Sequence, residues 1–210
     1  MQLVGKLIIK SKNKIIEFLN QESTGRIASI DKDGFPQIIP MNFVFINDTV
    51  YMHSHIRGEK LDNIRRNQKA GFEVDRRLEF LPSYFSDPTD ASLADTLYIS
   101  VVIKGNASIV SNKEEKTIAL NGLMKKYQPE GGYEPIKPNM DVLKGVEVIK
   151  IVPESLTGKY KIGQNMDMKS RIDLAKQILE RNTPTAKETL DIMGFRVVNN
   201  ELKLINETPW

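Results

Sequence analysis

PMNFVFINDTVYMHSHIRGEK, residues 40–60, holds two short strand patterns, then two histidines, then a basic loop that opens a helix. Met41-Asn42-Phe43-Val44-Phe45-Ile46 is the first strand. Asn47-Asp48 supplies the turn, and Thr49-Val50-Tyr51-Met52-His53 returns as the second. Arg57-Gly58-Glu59-Lys60 then puts a small residue and cations where a helix begins. A helix start carries unpaired backbone N–H groups and partial positive charge, and a glycine lets an anion come close. A hairpin followed by an anion loop points to a phosphate-bearing ligand lying on a β-sheet.

Outward from that stretch the chain reads as strands, with helices at the margins. Residues 11–22 carry Ile15, Ile16, Phe18 and Leu19 on one side and Lys12, Lys14 and Glu17 on the other, which predicts a helix. Strands are expected over 26–30, 35–39, 49–55, 69–74, 97–110 and 145–152, and a short helix over 58–67. Gly105 is expected to kink the long strand. Asn112 caps a helix over 113–127, with Ile118, Ala119, Leu123 and Met124 as its buried stripe. Residues 81–95 and 128–139 read as loops. Two further helices are expected over 169–180 and 185–193, with Pro184 opening the second. Short turns between strands predict an antiparallel barrel. A small barrel is filled by its own side chains, so a ligand binds outside it and a second subunit covers it.

Bulk properties bound the function. The 210 residues fit one domain with additions, expected as a barrel over 1–157 with its N-terminal helix and an extension over 158–210. The chain is 40 % hydrophobic and 27 % charged, an ordinary globular balance. It has no cysteine, which excludes disulfides, cysteine nucleophiles and thiolate metal sites. A net charge of +3, spread along the chain, does not indicate nucleic-acid binding. MQLVGKLIIK breaks its apolar run with lysine, no apolar stretch is long enough to span a membrane, and a cytoplasmic location is expected. The His53-x-His55 pair lacks a nearby carboxylate cluster to complete a ligand set, so no metal is expected.

A longer pattern carries a resemblance. Gly25-Arg26-Ile27-Ala28 is followed by Gly34-x-Pro36, Pro40-x-Asn42-Phe43, Tyr51-x-His53-Ser54 and Gly58-x-Lys60. Tyr98-x-Ser100-Val101 and Gly105-x-Ala107 complete it. In order and spacing this resembles the FMN-binding split-barrel proteins related to pyridoxamine 5'-phosphate oxidase, nearest the nitroimidazole-resistance branch. The resemblance implies a mainly β fold with flanking helices, a six-stranded antiparallel split barrel, and a homodimer with FMN between the subunits. It implies that Pro40, Met41, Asn42 and Phe43 lie along the flavin edge, that His53 and Ser54 line the ring and ribityl side, and that Gly58, Glu59 and Lys60 hold the phosphate. Ser100 and Val101 would come from the neighbouring subunit. Gly158-Lys159-Tyr160-Lys161-Ile162-Gly163-Gln164-Asn165 resembles a segment of flavin-binding transcriptional repressors on the same barrel, which adds Lys161, Gln164 and Asn165 as cofactor contacts. Its alternative is a solvated strand end. Glu59 stands where pyridoxamine-phosphate oxidases proper have an arginine, and their C-terminal arginine–histidine signature is missing, so vitamin B6 oxidation is not expected.

The function implied is an FMN-dependent oxidoreductase acting on a small aromatic or nitroaromatic compound, with His53 as catalytic residue. The flavin supplies the redox chemistry, and the protein binds and tunes it. No GxGxxG follows a strand, so a nicotinamide or other donor would dock transiently. The alternatives are a flavin-binding regulator or storage protein without turnover, and a haem-binding split-barrel protein. His53 also has a plain reading as a structural histidine, and Lys60 as a surface lysine.

Overall fold

The computed structural model describes residues 5–199 and 201–206; the C-terminal Trp210 lies outside the described residues. The chain divides into two compact units, one of Ile15–Val74 with Val101–Thr157, the other of Asp75–Ser100 with the described residues before Ile15 and after Thr157.

The first unit begins in helix α1 (Lys12–Gln21), whose buried face is Ile15, Phe18 and Leu19. Then come β1 (Gly25–Ile30), β2 (Pro36–Met41), β3 (Val44–Ile46), β4 (Thr49–His55), helix α2 (Glu59–Arg66) and the long strand β5 (Lys69–Leu81). Strand β6 (Asp95–Ile109), helix α3 (Lys113–Tyr127) and strand β7 (Val146–Lys161) follow. The sheet order is β2-β1-β5-β6-β7-β4-β3. β1 pairs antiparallel with β2 and β5, β3 with β4, and β4 with β7. This curled antiparallel sheet with flanking helices is the split-barrel fold. It has seven strands, one for each strand segment read from the sequence, where the resemblance implied six.

Alternation sets the faces. Along β4, Val50, Met52 and Ser54 are buried on one side, and Tyr51, His53 and His55 alternate with them on the other. Val50, Met52, Ile149 and Ile151 are each 0 % exposed. Over the opposite face lies α3. A cluster of Val44, Val110, Ala119, Leu120, Leu123, Leu143 and Val148 fills the space between, with Tyr51 packed against it. Asn112 caps α3 as expected, its side chain accepting from the Glu115 N–H at 2.8 Å. The buried stripe is Thr117, Ala119, Leu120 and Leu123, however, and Ile118 is 56 % exposed.

Two expectations of strand extent change. Residues 41–46 are not one strand: β2 ends at Met41 and β3 starts at Val44. The Phe43 N–H donates to the Tyr127 hydroxyl (2.8 Å) instead of to a neighbouring strand. Strand β6 runs without a break through Gly105, where a Cβ would overlap the Val152 carbonyl oxygen. That glycine answers a close backbone approach.

In the second unit β5 continues to Leu81 and β7 to Lys161, both beyond the expected ends. Helices α4 (Met168–Arg181) and α5 (Ala186–Ile192) follow, then a hairpin of β8 (Phe195–Val198) and β9 (Glu201–Leu204) that the sequence reading missed. Asp167 caps the start of α4, and Asn182, at φ 47°, closes its end in the left-handed conformation. Glu79 of β5 is buried. It accepts from Arg181 (3.2 Å), Thr183 (2.5 Å) and Thr185 (2.9 Å) and so fixes the α4–α5 turn. Among the described residues no helix is long and apolar enough to cross a membrane.

Candidate functional site

The start of α2 has the features of an anion site. Gly58, its N-cap, sits at φ 149°, a conformation that favours glycine, with nothing within 4 Å of where a Cβ would stand. No side chain caps this helix. The Gly58 carbonyl accepts from the Leu61 N–H (3.0 Å) and the Asp62 N–H (3.4 Å). The N–H groups of Glu59 and Lys60 precede that first bond and have no acceptor within the helix.

Lys60 is half-buried, and its ammonium lies 3.7 Å from the Met41 thioether sulfur. Among the described residues it has no carboxylate partner. Its neighbour Glu59 is turned to Gln37, whose amide donates to it at 2.5 Å. The Glu59 side chain is thus spent on β2, and its backbone N–H is what it offers an anion. Gln37 also accepts from Asn63 (3.1 Å), and Asn63 accepts from Arg66 (2.6 Å). Arg66 reaches the Ile30 carbonyl at 3.1 Å. This chain of polar contacts pins α2 to β1 and β2 and so holds the anion loop in place. Gln37 and Asn63 were not foreseen. The available signal was an asparagine between Leu61 and Ile64 on the buried side of the helix, where it is 1 % exposed.

The Pro40–Phe43 segment is split in its exposure. Pro40 and Asn42 are exposed, Met41 is half-buried, and Phe43 is 0 % exposed. The Phe43 ring meets Phe72 edge-on at 5.1 Å and lies beneath the Lys126 ammonium at 3.7 Å. Phe43 is therefore a core anchor, and Asn42 is the residue whose side chain faces outward. Lys126 went unnoticed in the sequence. It donates to the Leu19 carbonyl at the end of α1 (2.9 Å), and burial pushes its pKa down from 10.5 to about 8.

Strand β4 sends His53 and Ser54 to opposite faces, so these two side chains are not brought together. His53 is exposed and stands across from Val148, whereas Ser54 is 5 % exposed among core residues. His55 accepts from the Arg57 N–H at 3.2 Å through Nδ1, which turns the chain toward Gly58. On the His53 face, the Tyr51 hydroxyl donates to Glu115 (2.9 Å), and Lys150 donates to the same carboxylate (2.8 Å). Burial and the Glu115 charge push the Tyr51 pKa up to about 12. The Lys150 contact holds the Glu115 carboxyl below its usual range.

The remaining expected residues are placed less suggestively. Val101 is 0 % exposed and offers its backbone alone; Ser100 is half-buried and closes its own segment of the second unit. In that unit Lys161 is paired with Asp95 at 2.5 Å. Burial raises the Asp95 pKa, but Lys161 and the Thr96 N–H more than offset it and hold the carboxyl below its usual range. Gln164 accepts from the Ile162 N–H and donates to the Lys6 and Tyr160 carbonyls, a local cap. Asn165 is exposed.

What the first unit can do chemically follows from these groups. The α2 start can hold a dianionic oxygen cluster. Asn42, His53 and His55 present exposed hydrogen-bonding groups on neighbouring segments, and none of them is a nucleophile with an adjacent base.

Comparison with known proteins agrees with the architecture. No curated protein matched the chain in sequence. A candidate 5-nitroimidazole antibiotic resistance protein from Bacteroides thetaiotaomicron VPI-5482 is similar at 24 % identity and a TM-score of 0.62, covering 73 % of this chain and 86 % of that one. A flavocytochrome from Azotobacter vinelandii aligns at 17 % identity and a TM-score of 0.65, over 77 % of this chain and 72 % of its own. An FAD and haem binding protein from Mycobacterium smegmatis aligns at 14 % identity and a TM-score of 0.64, over 80 % and 79 %. At these identities the likeness shows the fold. The family model described as pyridoxamine 5'-phosphate oxidase matches residues 11–160, which span the sheet, α2 and α3. The chain belongs to the pyridoxamine 5'-phosphate oxidase family.

Proposed function

We propose that this protein binds FMN at the start of α2, works as a homodimer with the flavin at the subunit interface, and reduces a small aromatic or nitroaromatic compound. The observation that carries the reading is the half-buried Lys60 ammonium, without a carboxylate partner among the described residues, beside an uncapped helix start whose Gly58 leaves open space. A terminal phosphate satisfies both: two orphan N–H groups and one cation. That favours FMN, whose phosphate ends the molecule, over FAD, whose phosphates lie mid-chain. Family membership and the flavin and haem proteins that share the fold support a flavin; the choice of FMN rests on the anion site alone.

The flavin supplies hydride and electron transfer. The residues of this chain bind and orient it. Lys60 and the Glu59 and Lys60 N–H groups anchor the phosphate, and the Gln37–Asn63–Arg66 contacts keep that anchor from shifting. Asn42 offers an amide to the pyrimidine end of the ring. His53, exposed on β4, orients a substrate or hands it a proton. The nitroimidazole-resistance likeness supports the substrate class, and a transiently docking nicotinamide is the simplest electron donor.

The test is the absorption spectrum of the purified protein, followed by chromatography of the released cofactor. A flavin spectrum and released FMN are expected; a haem band overturns the assignment. Lys60→Ala should weaken FMN binding by roughly 1.5–3 kcal/mol, the loss of a charge-assisted contact. Turnover of a nitroaromatic acceptor with reduced nicotinamide separates a reductase from a flavin-binding protein without turnover.

A further inference from the structure

An open cavity lies wholly within the second unit. It has a volume of about 530 Å³ and is bordered by the end of α4, by α5 and by β8. Leu179, Ala186, Leu190, Phe195 and Val197 form its walls. Val197 is 41 % exposed, so part of this apolar lining faces solvent, whereas Ala186, Leu190 and Phe195 are buried beneath it. Such a volume suits a small organic molecule.

The charged groups at its rim are unbalanced. Lys187 and Arg196 line it together with a single carboxylate, Asp191. Arg196 holds Asp191 with one contact at 3.4 Å, with both side chains well exposed, a weak pairing. Lys187 has no carboxylate partner among the described residues. Lys203 of β9 stands directly across from Arg196 in the hairpin register. Two like charges facing each other across a strand pair are unfavourable, and Asp191 is paired with Arg196 alone. The lining offers a metal only the Asn182 amide and the Asp191 carboxylate, and Asp191 is paired with Arg196.

The geometry points to a binding site for a small amphipathic organic anion, an apolar chain or ring carrying one carboxylate or sulfonate, with its body against Leu179 and Val197 and its charge at Lys187 and Arg196. The apolar walls supply the affinity and the cation excess selects the sign of the head group. This site is independent of the flavin reading, since none of its residues belongs to the phosphate anchor.

The experiment titrates the purified full chain with anilinonaphthalene sulfonate, followed by fluorescence, and with decanoate, followed by calorimetry. Decanoate should bind and displace the dye, and decyltrimethylammonium, with the same chain and the opposite charge, should not. The double variant Lys187→Gln and Arg196→Gln should weaken decanoate by about three- to tenfold, as expected for two exposed charge contacts. Val197→Glu, at a partly exposed position, should abolish binding by placing a carboxylate on the apolar wall. Circular dichroism confirms that each variant is folded. Equal competition by the cationic amphiphile, or unchanged decanoate affinity in both folded variants, overturns the proposal.

Discussion

Single residues decide what the proposed site can do, and His53 is the one on which turnover rests. It alternates on β4 with buried Met52 and Ser54, so replacing it leaves the core untouched. His53→Ala should keep the fold and most FMN binding and lose reductase activity, while His55→Ala, which loses an acceptor for the Arg57 N–H, should do less. Steady-state turnover of both variants between about pH 6 and 8 checks this. Intact turnover in His53→Ala makes the histidine structural. Lys126 gives a second prediction, about stability. Its pKa falls from 10.5 to about 8 through burial, so between those values the unfolded chain binds more protons than the folded one. Stability therefore rises with pH across that window. Urea unfolding at about pH 7.5 and 9.5 should show the unmodified protein gaining stability relative to Lys126→Met. Tyr51, held protonated up to about 12, opposes this only above the ordinary tyrosine range and is common to both proteins. A constant difference between the two pH values would sink the claim.

At the scale of elements, the Asn42–Phe43 break is held from α3 and not from the sheet. The Tyr127 hydroxyl accepts from the Phe43 N–H (2.8 Å) and lies 2.6 Å from the Ser23 carbonyl, to which it donates. Tyr127→Phe leaves that N–H and that carbonyl without their partner and should cost about 1–3 kcal/mol, read from urea unfolding. No change in midpoint would mean that the break is held elsewhere. The same break explains where the sequence was legible. The strands of β4, the cap at Asn112 and the start of α2 follow from local alternation and capping chemistry, and all three stand where expected. The 41–46 strand failed because Phe43 takes a partner 84 residues away. The outer part of β5 reads Asp-Arg-Arg-Leu-Glu-Phe-Leu and looks like a polar loop. It is a strand because Arg76 pairs with Glu188 (2.7 Å) and Glu79 with the α4–α5 turn. No local pattern announces such partners. The helix start at Gly58–Lys60 was readable because its capping lies within one turn of chain. The Lys161 pairing with Asp95 was not, since 66 residues separate them.

For the whole molecule the expected state is a dimer, and the sheet edge offers a specific reason. Phe35 is 68 % exposed and Ile38 63 %, on and beside the edge strand β2. Ile38 stands across from Ala28, and Gly71 stands across from Ala28 on its far side, so a large apolar residue projects beside two small ones. Pro36 and Pro40 lack the N–H groups that an added strand requires, so β2 cannot extend the sheet by edge pairing. Burial of this apolar surface must then come from packing against its face. The Met41–Lys60 contact ties the end of the same strand to the phosphate anchor. Loss of the dimer should therefore loosen the flavin as well. Sedimentation of the unmodified protein should give a dimer, and Ile38→Lys, a surface change that leaves the core intact, should shift it toward monomer and lower its flavin content together. A monomer that keeps its flavin tightly would separate the two and remove the second subunit from the site.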